Sequence, residues 1–388
     1  MQSMQTTNQR IFDFVPLLGR VLCGVACLCM AWPVHARIPG KSKRGVKDIL
    51  LVAGGDVAYP RGWMDRLVDR QGVKMFDHVK GYVKAADLAF VNLESPYTNA
   101  EFTLKKKWPI ATPPRRIDYV LKAGFNLFSL ANNHMGDTGE QGIYDTLDLL
   151  KSKSNEFGPL FWTGAARKKK DVYKPRIFKV PGKELTVVFH AFGYARNHLV
   201  PMPGKRSYTA VRENAAKGDL TIVSVHHGKE YKHAPKASRA AAYRAYIDAG
   251  ADIVLGHHPH VPQGVEAYKK GIIFHSLGNF SFASKTKRHH KTGAKLYSIL
   301  PLIYVKNGRV ERAEVLPLYV NNSEHMTVGE KTLKYTNFKP QVLTGVFAST
   351  VLTALRQWTR EVPNIHSRAI DAFTIRNERA VIQVRRTR

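Results

Sequence analysis

Five short apolar runs in this 388-residue chain each end in side chains able to hold a divalent cation. Asp56 follows the run 49–53 and two glycines, Asn92 and Glu94 follow 88–91, and Asn133 and His134 follow 127–130. His226 follows 220–225, and His258 and His260 follow 253–255. Imidazole combined with carboxylate suits Mn, Fe, Zn or Co. A carboxylate can bridge two such ions about 3.5–4 Å apart, and such a pair acidifies water and clamps both oxygens of an in-line displacement. One or two divalent ions, with Mn, Zn and Fe foremost, are therefore the expected cofactor. His258-Pro259-His260 can present two rings to one site from an extended turn, and nine of the sixteen histidines fall between His226 and His290. Around these ligands, His257 and Glu230 are candidates for orienting a histidine, and Arg61 for holding an anion through its guanidinium fork. Asn92 and Asn279 are further polar candidates at strand ends. Each residue also has a plainer reading: Asp56, Asn133 and Asn279 as turn residues, Glu94 as a cap, His226 as a satisfied core histidine. His275 reads as core, and His289-His290, amid Lys287, Arg288 and Lys291, as an exposed basic loop.

The apolar runs are short and β-branched, as buried strands are. Helical patterns at 117–123, 138–150 and 238–249 lie between them, the first and last closed by Gly124 and Gly250. Strand and helix in alternation predict an α/β fold, whose functional crevice lies beyond the carboxyl ends of its strands. Asn307-Gly308, between 296–305 and 310–320, predicts a hairpin. Residues 321–340 read as a polar loop and 342–358 as a helix, and the tail beyond Pro363 has little pattern until 380–384. A main domain at 48–320 with a small C-terminal extension at 321–388 is the expected organisation.

Arg10 and Arg20 precede an apolar run at 21–32 that ends in Val34-His35-Ala36. This is the layout of a secretory signal over residues 1–36, with cleavage after Ala36. The run is shorter than the roughly 20 residues a spanning helix needs, and a retained N-terminal anchor is the alternative. Export to the periplasm, the cell envelope or the exterior follows, with a basic linker at 37–47. Cys23, Cys27 and Cys29 all lie inside the signal, so the mature chain has no disulfide, thiol nucleophile or cysteine-bound zinc. Lys and Arg number 60 against 30 Asp and Glu, a net charge of +30. Such a surface attracts polyanions and anionic membranes and steers acidic substrates. The charge sits in short runs, Lys105-Lys106-Lys107, Lys168-Lys169-Lys170 and Arg385-Arg386-Thr387-Arg388, which also read simply as solvated basic surface. Nucleic acid is opposed by the secretory signal and the lack of a recognition motif. No P-loop, dinucleotide fingerprint or Gly-x-Ser-x-Gly elbow is present.

Six segments lie in order over about residues 48–285. They are Gly55-Asp56-Val57, Val91-Asn92-Leu93-Glu94-Ser95-Pro96, Leu130-Ala131-Asn132-Asn133-His134, Val225-His226-His227-Gly228-Lys229-Glu230-Tyr231, Gly256-His257-His258-Pro259-His260-Val261 and Ser276-Leu277-Gly278-Asn279-Phe280. Together they resemble the CapA family of capsule (poly-γ-glutamate) synthesis, which is related to the calcineurin-like metallophosphoesterases. The resemblance implies a four-layer α/β/β/α sandwich of metallophosphoesterase type. It also implies metal ligation by Asp56, Glu94 (as the bridging carboxylate), Asn133, His226, His258 and His260, and a catalytic His134 facing the leaving group or phosphate. Two positions depart from the metallophosphoesterase pattern: Ala58 stands where those enzymes have histidine, and Glu94 where they have aspartate. The implied function is synthesis of capsule or a related anionic envelope polymer, by a metal-dependent hydrolase or transferase. The alternative is a component that binds, tethers or exports the polymer without turnover. The implied partners are an anionic polymer or phosphorylated substrate, with a membrane surface or capsule-synthesis membrane proteins.

Overall fold

A computed structural model describes residues 45–62, 65–283 and 295–384. The secretory segment with its three cysteines, most of the 37–47 linker, the His289-His290 stretch and the terminal arginine run lie outside the described residues. Among the described residues no helix is long and apolar enough to cross a membrane.

Most of the apolar runs extend as strands into the polar residues that close them. They give β1 (Ile49–Ala58), β2 (Leu88–Leu93), β3 (Leu127–Ser129) and β4 (Phe161–Thr163). Next come β5 (Arg176–Lys179), β6 (Thr186–Gly193), β7 (Leu220–His226) and β8 (Ile253–His257). Then follow β9 (Val265–Tyr268), β10 (Gly271–Phe274), β11 (Asn279–Phe282), β12 (Tyr297–Lys306) and β13 (Arg309–Tyr319). The helices between them are α1 (Asp65–Gln71), α2 (Lys80–Ala85), α3 (Ile117–Ala123), α4 (Gly139–Phe157), α5 (Lys205–Asn214) and α6 (Ala237–Asp248). Gly124 ends α3 at φ 109°, a conformation in which a Cβ would be strained. Asn307 and Gly308, both at positive φ, close the β12–β13 hairpin as the sequence predicts.

The fold is mixed α/β. One sheet runs β12-β1-β2-β3-β4, with β13 outside β12, and β11 lies beside the far half of β1. A second sheet runs β5-β6-β7-β8-β10-β9. Successive strand residues face opposite sides, and the second sheet uses both. Leu220, Ile222, Ile253, Leu255, Ile272 and Phe274 join the core shared with the first sheet. Val223, Val225, Val254 and Ile273 instead pack with Val211 of α5 and Tyr243, Tyr246 and Ile247 of α6. Across the shared core, the Phe161 and Phe178 rings stack at 3.6 Å, and Phe90 meets Phe189 edge-on at 6.1 Å.

The closeness of β1 to its neighbours depends on two glycines. A Cβ on Gly55 would lie 1.9 Å from the Gly278 carbonyl oxygen, and one on Gly54 would lie 2.8 Å from Val91 Cγ1. Gly55→Ala is therefore expected to force β1 from the segment leading into β11 and to cost about 3 kcal/mol, the upper end of overpacking. A melting temperature equal to wild type would contradict this packing.

The chain beyond residue 320 departs from the sequence reading. The stretch expected to be a polar loop holds the hairpin β14 (Met326–Val328) and β15 (Lys331–Leu333). After β16 (Gln341–Val342), the expected helix is α7 (Gly345–Arg360). The tail beyond Pro363 contains α8 (Ser367–Asp371), β17 (Phe373–Arg376) and β18 (Arg379–Gln383), the last at the 380–384 pattern. β18 pairs antiparallel with β13, so this region continues the first sheet. Three-residue strands and half-exposed edge strands bury too few side chains to leave a period in the sequence.

Candidate metal centre

The carboxyl ends of β1 and β2 in one sheet and of β7 and β8 in the other meet at one place. Asp56 pairs in register with Asn92 on β2 and with Asn279 on β11, while His226 pairs with His257. Asp56 is buried and surrounded. Its Oδ1 accepts from Asn92 Nδ2 at 2.8 Å and lies 3.0 Å from His257 Nδ1. Its Oδ2 accepts from the His258 amide at 3.4 Å and lies 3.8 Å from His260 Nδ1. Burial would raise the Asp56 carboxyl, but His257, then His226 and His260, outweigh it and hold it well below the usual carboxylate range.

Glu94 is the opposite case. Its backbone N–H donates to the Val57 carbonyl at 2.9 Å, yet among the described residues neither carboxylate oxygen has a hydrogen-bond partner, although the side chain is buried. Oε1 lies 3.5 Å from His226 Nε2 and 3.8 Å from His260 Nε2. Burial, then the Asp56 charge, pushes the Glu94 carboxyl well above its ordinary value. A buried carboxylate without donors is costly, and a cation between it and the histidines removes that cost. The donor set fits: Glu94, His258 and His260 offer three ligand atoms within 4.8 Å of one another, and Asp56, Glu94 and His226 offer a second such trio. Glu94 belongs to both, as a carboxylate bridging two ions would.

The histidine rings are fixed by neighbouring side chains. Asn92 Nδ2 also donates to His226 Nδ1 at 3.1 Å, and His226 Nε2 lies 2.8 Å from Asn133 Oδ1. His260 Nδ1 donates to Asn279 Oδ1 at 2.8 Å, which leaves Nε2 toward Glu94. Asn279 Nδ2 in turn donates to Asn321 Oδ1 at 3.3 Å. His258 and His260 have φ of 92° and 58°, a left-handed backbone rare for such residues, and it brings the His258 ring within 4.9 Å of the His226 ring. Burial, reinforced by His258 and His257 against an opposing Asp56, holds His226 well below its usual pKa. Burial and His260 bring His258 to about 3. Both rings are neutral at neutral pH; with Asn92 donating to Nδ1, the His226 proton sits on Nε2 facing Asn133, so ligation through Nε2 requires the other tautomer.

His134 belongs to a second polar group at the same end. Its Nδ1 lies 2.6 Å from Asp137 Oδ2, and its amide donates to Asn132 Oδ1 at 3.1 Å. Lys106 Nζ reaches Asp137 Oδ1 at 3.1 Å, the Asn133 carbonyl at 2.9 Å and His134 Nδ1 at 3.0 Å. A carboxylate on Nδ1 keeps a proton there and leaves Nε2 for a reacting atom, the arrangement a histidine acid–base needs.

Residues 50–284, more than half of the chain, match the family described as "Bacterial capsule synthesis protein PGA_cap". The chain belongs to that family. The match covers the span whose motifs resemble the CapA family, and the resemblance is borne out. The chain is 31% identical over 284 residues to "Capsule biosynthesis protein CapA" of Bacillus anthracis, covering 67% of this chain and 66% of that protein, just under two thirds of its length. It is 27% identical over 341 residues to "PGA biosynthesis protein CapA" of Bacillus subtilis, covering 86% of each. A "Probable polyglutamine synthesis accessory protein" of Mycobacterium tuberculosis is 28% identical over 210 residues, 50% of this chain and 55% of that one.

Within this PGA_cap span the structure gathers Asp56, Glu94, Asn133, His226, His258 and His260, with Asn92, His257 and Asn279 in direct contact with them. Among the described residues no contact brings Arg61 to the cluster: its guanidinium donates to the carbonyls of Asn99 and Ala100 at 2.9 and 2.7 Å and lies over the Phe102 ring. Glu230 is exposed in a turn, and its charge adds to the rise at Glu94. His275 is core, 3.2 Å from Glu266. Three residues escaped the sequence reading: Asn132, Asp137 and Lys106. The spacing His134-x-x-Asp137 was a usable signal. Lys106 carried none, because it sits in a run that reads as solvated surface.

Proposed function

We propose that this PGA_cap protein is an exported, divalent-metal-dependent hydrolase or transferase of capsule or poly-γ-glutamate synthesis. Its substrate would be an anionic envelope polymer, the polymer's lipid-linked precursor or a phosphate ester. The observation that carries this reading is Glu94, a buried carboxylate with both oxygens unpaired between two histidine-bearing strand ends. Asp56, Glu94, Asn133, His226, His258 and His260 would hold one or two ions of Mn, Zn or Fe. Bound there, the metal supplies Lewis-acid polarisation and a lowered water pKa. Asn92, His257 and Asn279 fix the ligands, and His134, with its Nδ1 proton held by Asp137, moves a proton at Nε2. The basic surface steers the anionic substrate and suits an anionic membrane or capsule-synthesis membrane proteins as neighbours. The same reading stacks the sheets as a four-layer α/β/β/α sandwich, which the two-sided packing of the second sheet supports. Turnover of polymer or phosphate ester is expected to vanish in chelator and return with Mn or Zn. Unchanged turnover in excess chelator would refute it.

One observation favours a second reading, a polymer-holding component without turnover. Ala58, where the related enzymes place a histidine, is buried with Ile110 and Phe282 and offers no donor. That reading predicts binding of polyglutamate that weakens with salt and no product.

A further inference from the structure

His258 and His260 offer their ligand atoms from a backbone at positive φ, and Tyr231, beside them, has φ 60°. In residues of this kind such backbone persists only where the surrounding structure holds it. Three carbonyls of the segment 259–262 are each tied down. The Tyr231 amide donates to the Pro259 carbonyl, between the two histidines, at 2.8 Å. Ser276 Oγ donates to the Val261 carbonyl at 2.8 Å, and His233 Nδ1 to the Pro262 carbonyl at 2.8 Å. Two of the three ties come from one loop, 228–236, which contains no strand or helix. That loop is anchored from outside. The His233 ring stacks on Trp358 at 4.0 Å and 6°, and Tyr297 flanks the two rings at 6.4 and 6.0 Å. Trp358 is buried in the last turn of α7. The next residue, Thr359, accepts the Val265 amide through Oγ1 at 3.1 Å, and a Cβ on Gly264 would lie 2.7 Å from the Trp358 carbonyl oxygen. α7 therefore packs on the exit of the histidine turn as well as on the loop beside it, and it lies beyond residues 50–284, outside the span that matches the family.

We propose that His233 and Trp358 are positioning residues of the candidate metal centre, through which α7 keeps the His258-Pro259-His260 turn in the conformation that sets both imidazoles beside Glu94. The stack fixes the plane of the His233 ring, the fixed ring keeps its Nδ1 proton on the Pro262 carbonyl, and the Tyr231 amide of the same loop fixes Pro259. Loss of either ring frees the turn to relax toward ordinary backbone, and the ligand atoms of His258, His260 and Glu94 then no longer lie within 4.8 Å of one another. α7 contributes no ligand and acts on the site only through this contact. The inference rests on the reading of Glu94, His258 and His260 as metal ligands.

The test measures amide hydrogen exchange of the peptide 257–265 in the metal-free full chain, and the Mn affinity of the same chain by calorimetry. His233→Ala and Trp358→Ala are each expected to exchange there about tenfold faster than wild type and to bind Mn about tenfold or more weakly, as loss of a residue supporting a metal ligand does. Trp358→Phe, which keeps a ring for the stack, is expected to stay near wild type in both. Val351→Ala, buried on α7 about two turns before Trp358, is expected to melt lower yet to leave both readouts as in wild type, which separates positioning from loss of stability. The proposal is overturned if His233→Ala exchanges as slowly as wild type, if it exchanges faster but binds Mn unchanged, if Trp358→Phe loses as much as Trp358→Ala, or if Val351→Ala shifts both readouts as far. His233→Ala, a change in a half-buried loop residue, decides the matter should Trp358→Ala fail to fold. A wild-type chain that takes up no Mn would defeat the metal reading separately, and the exchange arm would still decide whether the two rings hold the turn.

Discussion

Glu94→Gln is expected to melt higher than wild type without added metal and to lose the stabilisation that Mn or Zn gives wild type. Both effects come from one geometry. In the metal-free protein the Glu94 oxygens are buried without a donor, and burial with the Asp56 charge drives the carboxyl well above its usual pKa. Replacing the acid with its amide removes the cost of burying this carboxyl and of the proton it must take up there, about 1–3 kcal/mol. The same change removes the only carboxylate common to both trios of ligand atoms, and ion affinity is expected to fall by at least about 100-fold, beyond the loss typical of supporting residues. The pH dependence follows in sign. A carboxyl with a raised pKa holds its proton to higher pH, and a cation must displace that proton. Affinity in wild type therefore rises with pH, and binding releases protons. His226 and His258, already neutral, add no such release near neutral pH. Melts with and without Mn, with calorimetry in two buffers of different ionisation heat, check all of this. A Glu94→Gln chain that binds metal like wild type would remove Glu94 from the site.

Asp137→Asn is expected to lower turnover by about 10²–10⁴, the usual worth of a positioned acid–base group, with metal content unchanged. Asp137 Oδ2 sits 2.6 Å from His134 Nδ1 and also accepts the Ile110 amide at 2.8 Å, while Oδ1 takes Lys106 Nζ. The asparagine keeps the volume but can present an N–H to Nδ1, which favours the wrong tautomer of His134. Burial already lowers the His134 pKa and Asp137 opposes it, so loss of the carboxylate also makes the ring harder to protonate. The pH–rate limb assigned to His134 should move to lower pH. Lost metal together with lost turnover would instead make Asp137 a prop for the whole loop.

The cluster was legible in the sequence because its candidate ligands sit where chain geometry leaves little choice. A buried strand that must end in a polar residue shows that residue next to an apolar run, as Asp56 and His226 do. Asn307-Gly308 was legible for the same reason, because a tight turn demands it, whereas the close approach that requires Gly54 and Gly55 shows only in the fold. Contacts made across long sequence separations by residues with ordinary local surroundings were not legible. Lys106 looks like one lysine of three, and only the fold brings its amine onto Asp137 and His134. Asn321 supports Asn279 from a segment with no periodicity. Arg61 had the right chemistry, but two backbone carbonyls and the Phe102 ring use its guanidinium. β17 stayed hidden, and β18 showed only as a faint pattern at 380–384, because an edge hairpin buries only every second residue, Ala380 and Ile382 among them.

Elemental analysis of the purified full chain, after equilibration with Mn, Zn and Fe and removal of free ion, tests the central claim most directly. One or two ions per chain are expected, falling to none in an Asp56→Ala, Glu94→Gln double variant that still folds. A wild-type chain that retains no ion would contradict the account.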